Sequence, residues 1–215
     1  MNNKPIKVFL ADDHVMVREG LAALLAREPD IEVVGQDGHG LTVAKSALEC
    51  QPDVVVLDIM MPGINGLDIC RQLTRKTKKV YVLILTMYDD EQFIIRALEY
   101  GASGYLLKEA ASDQLATAVR AVARGELYLG PGIPRHVLES LGRGRTDPYE
   151  DLTTRERQVL QLVAEGKTSR DVAEVLNLAV KTVDTHRSNL MRKLNIHDQT
   201  ALVKFAIRKG IVTAR

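Results

Sequence analysis

The sequence predicts an α/β chain in two parts: a doubly wound sheet of five parallel strands over residues 1–125, then a small all-α domain of four helices over residues 151–215. Three observations predict it. Apolar, β-branched runs of strand length alternate five times with stretches of helical spacing, and such βα units imply a parallel sheet with right-handed crossovers. The alternation stops at Gly125, where a segment rich in Gly, Pro and charge begins. Beyond it no strand pattern returns, and only the period of amphipathic helices remains.

The elements follow in order. KVFLA reads as the first strand, and VREGLAALLARE as a helix with Val17, Leu21, Leu24 and Leu25 on one face. EVVGQ is the second strand and VAKSALEC the second helix, with Pro52 marking the next turn. VVVLDI is a continuous apolar run, as expected of a central strand covered on both faces. GLDICRQL, YVLILT, EQFIIRALEYG, GYLLK and SDQLATAVRAVARG continue the alternation, with Gly101 and Gly125 closing helices as left-handed caps. Residues 126–150 read as a linker, with a short helix over Pro134–Leu141 and a flexible stretch around Gly142–Pro148. In the last part, Thr153 and Glu156 form a capping box ahead of an apolar face. SRDVAEVLN, AVKTVDTHRSNLMRKLN and DQTALVKFAIRKG complete four helices joined by short turns.

The 215 residues and 46% hydrophobic content suit one or two domains with their own cores. The net charge of +1 conceals a split. Residues 152–215 carry 12 Lys/Arg against 6 Asp/Glu, or +6; residues 1–151 hold the other 17 against 22, or −5. That asymmetry points to a polyanionic partner for the basic part. Cys50 and Cys70 show neither metal nor redox spacing and read as reduced core thiols. No apolar run reaches membrane-spanning length and no signal-peptide core is found, so a soluble cytoplasmic protein without membrane contact is expected.

Chemistry gathers where the strands end. Asp12 and Asp13 follow KVFLA, Asp58 follows VVVL, Thr86 follows YVLIL and Lys108 follows GYLL. Parallel pairing sets all of them on the carboxyl edge, where open α/β sheets bind ligands. Singly each has an ordinary explanation: a helix N-cap, a turn residue, a solvated charge. Jointly they describe a pocket for phosphoryl chemistry, with Asp58 as the nucleophile that becomes an aspartyl phosphate. A hard divalent cation such as Mg²⁺ removes the repulsion between two anions and needs only one or two carboxylates. Asp13 and Asp58 would bind it directly, Asp12 through water, and the Met60 backbone carbonyl would add an oxygen. Lys108 would stabilise charge on the transferring group, and Thr86 would hydrogen-bond one of its oxygens.

ADDH, VVLDIMMPGINGLD, LILTMYDD and GASGYLLKEA, in that order across residues 1–125, resemble the receiver domain of bacterial response regulators. The resemblance implies phosphorylation of Asp58 by a sensor histidine kinase, Mg²⁺ at Asp12, Asp13 and Asp58, and phosphoryl contact by Lys108. It also implies a switch at Thr86 and Tyr105, in which the hydroxyl moves toward the phosphate and the aromatic ring turns inward. Met60 and Tyr88 flank the path of an attacking water and so bear on dephosphorylation.

The helix from Ala179 sets Val183, Leu190 and Leu194 on one face, with Lys181, Asp184, Thr185, Arg187, Ser188 and Arg192 elsewhere around it. Hydroxyls and flexible cations are what base edges and phosphates require, although a solvated amphipathic helix carries the same pattern. LT-x-RE, the EG-K turn and KTV-x-x-H-x-x-N-L-x-x-KL resemble the LuxR-type domain of the NarL/FixJ group of response regulators. This implies a helix-turn-helix, dimerisation mostly through the last helix, and DNA contact by residues 179–193, which brings Thr182 and Lys193 into the set. Thr168 and Ser169 stand where the family commonly has a Ser-Asn pair. Asp184 would either accept from a cytosine amino group or reject other sequences. His186 has no second His or Cys at ligand spacing, which argues against a metal role.

The expectation is therefore a homodimerising regulator that binds promoter DNA when Asp58 is phosphorylated, with RNA polymerase as a further partner. Its catalysis would be confined to its own phosphoryl transfer and slow autodephosphorylation. An Asp-nucleophile phosphatase usually needs a second acid two residues after the nucleophile, and Met60 cannot serve. A LuxR-type acyl sensor needs a ligand cavity where this chain has carboxylates. A DNA-binding regulator acting independently of phosphorylation remains the alternative.

Overall fold

The computed structural model describes residues 4–141 and 147–212. The five apolar runs form β1 (Ile6–Ala11), β2 (Ile31–Asp37), β3 (Val54–Leu57), β4 (Tyr81–Thr86) and β5 (Gly104–Leu107). Between and after them lie α1 (Val15–Leu25), α2 (Gly40–Cys50), α3 (Gly66–Lys76), α4 (Glu91–Glu99) and α5 (Ala111–Ala123). All strand pairs are parallel, in the order β2-β1-β3-β4-β5. The order reverses at β1, whose neighbours β2 and β3 lie on opposite sides, so the crevice beyond β1 and β3 is the topological switch point.

Alternation along the strands explains why both faces are covered. Val8, Leu10, Val54, Val56, Leu83, Leu85 and Leu106 share a core with Leu21 and Leu25 of α1 and with Leu115, Val119 and Val122 of α5. The intervening Phe9, Val55, Leu57, Val82, Ile84 and Tyr105 point the other way and are equally buried, on the side of α2, α3 and α4. Gly101 and Gly125 take positive φ (89° and 78°) directly after α4 and α5, as the cap reading expects. Cys50 and Cys70 are free thiols, and burial pushes the Cys70 thiol up to about 12, so it stays neutral.

The sheet has six strands among the described residues, not the five expected. Tyr128 and Leu129 form β6, parallel to β5 and paired with Gly104 and Tyr105. The half-buried Tyr128 side chain packs against the core beside α5, and pairing covers an edge of β5 that would leave backbone groups open. The short helix expected over Pro134–Leu141 is a 3₁₀ turn at Arg135–Ser140. Residues 142–146, most of the stretch read as flexible, lie outside the described residues. The chain divides there into two compact units.

In the second unit α6 (Thr154–Ala164), α7 (Ser169–Leu176), α8 (Val180–Leu194) and α9 (Gln199–Arg208) follow a 3₁₀ turn at Pro148–Asp151. Thr153 and Glu156 form the expected capping box, and Thr168 with Asp171 forms a second one on α7. Thr168 therefore fills the N-cap role itself. Buried Arg157 stacks 4.3 Å over the Tyr149 ring and donates to the Leu152 carbonyl, tying the 3₁₀ turn to α6. Among the described residues no helix is long and apolar enough to cross a membrane.

Candidate functional site

Register decides what meets at the carboxyl edge. Ala11 pairs with Leu57, and Thr86 pairs with Leu107, so the residues that follow each strand arrive together. The Asp58 amide donates to the Ala11 carbonyl at 2.9 Å, which carries the β1–β3 pairing one residue beyond the ladder. Asp12 accepts the His14 amide at Oδ1 (2.9 Å), a local turn that starts α1 without a side-chain cap on its first residues. Asp58 Oδ1 accepts the Ile59 amide at 2.7 Å.

The loop after β3 is held down by a glycine. The Gly66 amide donates to the Ile59 carbonyl at 2.7 Å, and a Cβ at Gly66 would lie 1.9 Å from the Asp58 carbonyl oxygen. No side chain fits there. That requirement was not read from the sequence, because it depends on a close approach rather than on a turn motif.

Lys108 binds the acids together. Its Nζ lies 2.6 Å from Asp12 Oδ2 and 2.7 Å from Asp58 Oδ2. Its backbone opens a 3₁₀ turn after β5 that leads into α5. Asp12, Asp13, His14 and Asp58 present ligand atoms all within 4.8 Å of one another. His14, which the sequence reading passed over, brings Nδ1 to 2.8 Å from Asp13 Oδ1. That approach lacks hydrogen-bond geometry, and Asp13 Oδ1 is buried without a hydrogen-bond partner. Thr86 is fully buried, and its hydroxyl also has no partner.

Burial raises the Asp58 carboxyl above its ordinary range, against the pull of Lys108. Burial alone would lower the Lys108 ammonium, but the charge of Asp58 and the contacts with Asp12 outweigh it and raise it. Lys108 thus opposes the effect of burial on Asp58, and Asp58 opposes it on Lys108. Tyr88 is raised by burial and then by the Asp58 charge, which sets its hydroxyl within the field of the pocket. Three carboxylates against one ammonium leave an excess of two negative charges, which a divalent cation would balance. The three carboxylates of the cluster and the unfilled Asp13 Oδ1 fit a hard ion such as Mg²⁺. Tyr105 is wholly buried, its hydroxyl donating to the Tyr88 carbonyl at 2.7 Å. Met60 is half-buried in the loop after Asp58.

In the second unit, α7 and α8 are joined through Asn177 in the left-handed conformation (φ 52°) and pack on each other. Val183, Leu190 and Leu194 turn inward. Lys181, Thr182, Asp184, Thr185, Ser188 and Arg192 are exposed, and Lys181, Thr185, Ser188 and Arg192 fall on one stripe at helical spacing. Arg187 is half-buried and donates to Gln199 Oε1 at the start of α9 (2.9 Å). Lys193 is drawn toward α6. Its Nζ lies 2.7 Å from Glu156 Oε2 and 3.0 Å from the Asp151 carbonyl, closing the N-terminal cap of α6. Burial would raise the Glu156 carboxyl, but hydrogen bonds from Lys193 and Thr153 outweigh it and hold it below the ordinary range.

Two family models match this chain. The model of the response regulator receiver domain covers residues 8–120, and that of bacterial regulatory proteins of the luxR family covers residues 150–206. The chain is 38% identical over 209 residues to the transcriptional regulatory protein LiaR of Bacillus subtilis (strain 168), covering 96% of this chain and 99% of LiaR. It is 35% identical over 215 residues to the oxygen regulatory protein NreC of Staphylococcus carnosus (strain TM300), at 96% and 99% coverage. Among solved structures, the response regulator ChrA of a heme-sensing two-component system matches with a TM-score of 0.50 and 35% identity. That match covers 97% of this chain and 99% of ChrA.

Proposed function

Because this chain belongs to the response regulators of two-component systems, a receiver domain joined to a DNA-binding domain of the LuxR family, we propose that Asp58 is its phosphoacceptor and that phosphorylation controls its hold on promoter DNA. The single observation that carries this reading is the Lys108 ammonium bridging Asp12 and Asp58 beside a buried Thr86 hydroxyl with no partner.

The donor is a phosphohistidine of a sensor kinase. An Asp58 carboxylate oxygen forms the new O–P bond while the P–N bond breaks, and the donor imidazole leaves with the electron pair. Mg²⁺ bound at Asp13 and Asp58, with Asp12 through water and the Met60 carbonyl, would neutralise charge between nucleophile and donor. Lys108 gives up one carboxylate contact and takes a phosphoryl oxygen in its place. The Thr86 hydroxyl then gains the hydrogen bond it lacks. A buried hydroxyl without a partner costs about 1–3 kcal/mol, which gives the phosphorylated state a definite advantage in drawing Thr86 inward. Tyr105, bonded to the segment that follows Thr86, is the next residue to register the change. Met60 and Tyr88 flank the approach of water and so bear on the rate of autodephosphorylation.

In the second domain α8 enters the major groove. Lys181, Thr182, Asp184, Thr185 and Ser188 face bases, and Arg192 faces phosphate, with Arg187 braced on α9 at the edge of that surface. Lys193 is given a structural role instead. Phosphorylation favours a homodimer that presents two such helices to two half-sites. Kinase, DNA and RNA polymerase would meet this protein in the cytoplasm.

Gel-shift titration with and without acetyl phosphate and Mg²⁺ tests the reading. Wild type should gain DNA affinity on phosphorylation and Asp58→Asn should not. Equal affinity in every arm would favour a regulator that works independently of phosphate.

A further inference from the structure

Residues 126–141 are bonded into the elements that surround the pocket. In β6 the Tyr128 amide donates to the Ser103 carbonyl (3.0 Å), and just after it the Gly130 amide donates to the Tyr105 carbonyl (2.9 Å). The Tyr128 hydroxyl donates to Gln114 Oε1 of α5 at 2.8 Å. A Cβ at Gly130 would come within 2.7 Å of Leu106 Cδ1, so the chain lies tightly against β5. The 3₁₀ turn Arg135–Ser140 then packs on α4. Within it Val137 is fully buried, and His136 Nε2 lies 2.8 Å from Glu91 Oε1 in the first turn of α4.

Both anchoring points adjoin the proposed switch. Tyr105 accepts from Gly130 through its carbonyl while its hydroxyl donates to Tyr88, in the segment between Thr86 and α4. That segment ends at Asp90, whose side chain accepts the Gln92 amide and starts α4. Displacing residues 86–90 therefore disturbs the surface that the 3₁₀ turn rests on.

We propose that residues 126–141 form a strap that senses phosphorylation, docked on β5 and α4 while Asp58 is unmodified and released from α4 when residues 86–90 rearrange. This inference rests on the proposed function above. The two ends are unequal. The β5 end is held by backbone ladder bonds and by Tyr128 packed against the core. At the α4 end, His136 and Glu91 are both more than half exposed, and such pairs contribute little. A single 3₁₀ turn also has poorer hydrogen-bond geometry than an α-helix. Release therefore starts after Gly130 and leaves β6 in place. Residues 131–141, freed and extended, span at most roughly 36–40 Å. That reach is comparable to the separation of half-sites one helical turn apart, about 34–36 Å. The strap would convert a local change at the pocket into freedom for the DNA-binding domain of each protomer to find its half-site.

Hydrogen exchange on the full chain, with and without acetyl phosphate and Mg²⁺, tests this. The extent of phosphorylation is read from intact mass. In phosphorylated wild type, peptides over residues 131–141 should lose protection by roughly tenfold while the Gly130 amide keeps it. Val137→Glu puts a carboxylate where a buried apolar group sat. It should lose the same protection without phosphate and bind DNA nearly as tightly as phosphorylated wild type. Glu91→Gln should show a smaller loss, which covers the case that Val137→Glu folds poorly. Unchanged protection over residues 131–141 in wild type that carries the phosphoryl group would overturn the strap. If phosphorylated wild type failed to gain DNA affinity, the proposed function would fall instead, and exchange over 131–141 would still decide whether the strap senses phosphate.

Discussion

Gly66→Ala should damage the proposed phosphoacceptor site without touching any carboxylate. The added Cβ would lie 1.9 Å from the Asp58 carbonyl oxygen, 2.8 Å from its carbonyl carbon and 2.9 Å from Ile59 Cα. Non-bonded heavy atoms settle near 3.5 Å, so the two backbone segments must part by roughly 1.5 Å. No flexible side chain can absorb that shift. The Gly66 amide is bonded to Ile59 and the Asp58 amide to Ala11, so both sides are pinned. Overpacking that side chains can relieve costs about 1–3 kcal/mol, and backbone against backbone belongs at or above the upper end. For a domain of this size about 3 kcal/mol lowers the melting temperature by roughly 10–15 °C. The same displacement moves the Asp58 carboxylate relative to Lys108, and a misplacement of about 1 Å can cost about 10²-fold in rate. The assay pairs thermal unfolding with the rate of phosphorylation by acetyl phosphate and Mg²⁺, read by intact mass at a temperature where the variant is folded. A variant that melts with wild type and is phosphorylated at the wild-type rate would refute the reasoning.

Asp13→Ala removes the carboxylate whose Oδ1 has no hydrogen-bond partner, so Mg²⁺ affinity and phosphorylation rate should fall together; an unchanged calorimetric Mg²⁺ titration would show the ion misplaced. Arg192→Ala should flatten the salt dependence of DNA binding by about 0.9 log units per log unit of salt, one phosphate contact. Lys193→Met should leave that slope alone and instead destabilise the second domain by about 1–3 kcal/mol, since it strips a charged hydrogen bond from Glu156. The opposite allocation, seen in DNA titrations and melting curves, would reverse the roles assigned to the two cations. The pH dependence follows from the same pair. The folded Glu156 carboxyl is held below its ordinary range, so its contribution is present above about pH 4.5 and is lost as pH falls through the folded value. Acid unfolding of the second domain should be less steep in Lys193→Met, and identical acid profiles would contradict the pairing.

What the sequence determined by itself was whatever local periodicity and strand ends can encode. Asp12, Asp58, Thr86 and Lys108 each follow or close an apolar run, and parallel pairing alone is enough to bring them to one edge. The Thr153–Glu156 capping box and the inward Val183, Leu190 and Leu194 are spaced within a few residues, so the sequence displays them directly. The tertiary structure decided the rest, because those features join residues far apart in the chain. Gly66 is obligatory only because its backbone folds onto Asp58. Lys193 looks like one more cation among those of α8 until Glu156, 37 residues earlier, claims it. Tyr128 and Leu129 have too short an apolar run to announce a strand, and pairing with β5 makes them one. A two-residue strand has almost no intrinsic preference to display. Its backbone bonds form only where an open edge and a neighbouring core already exist, and those are properties of the folded sheet.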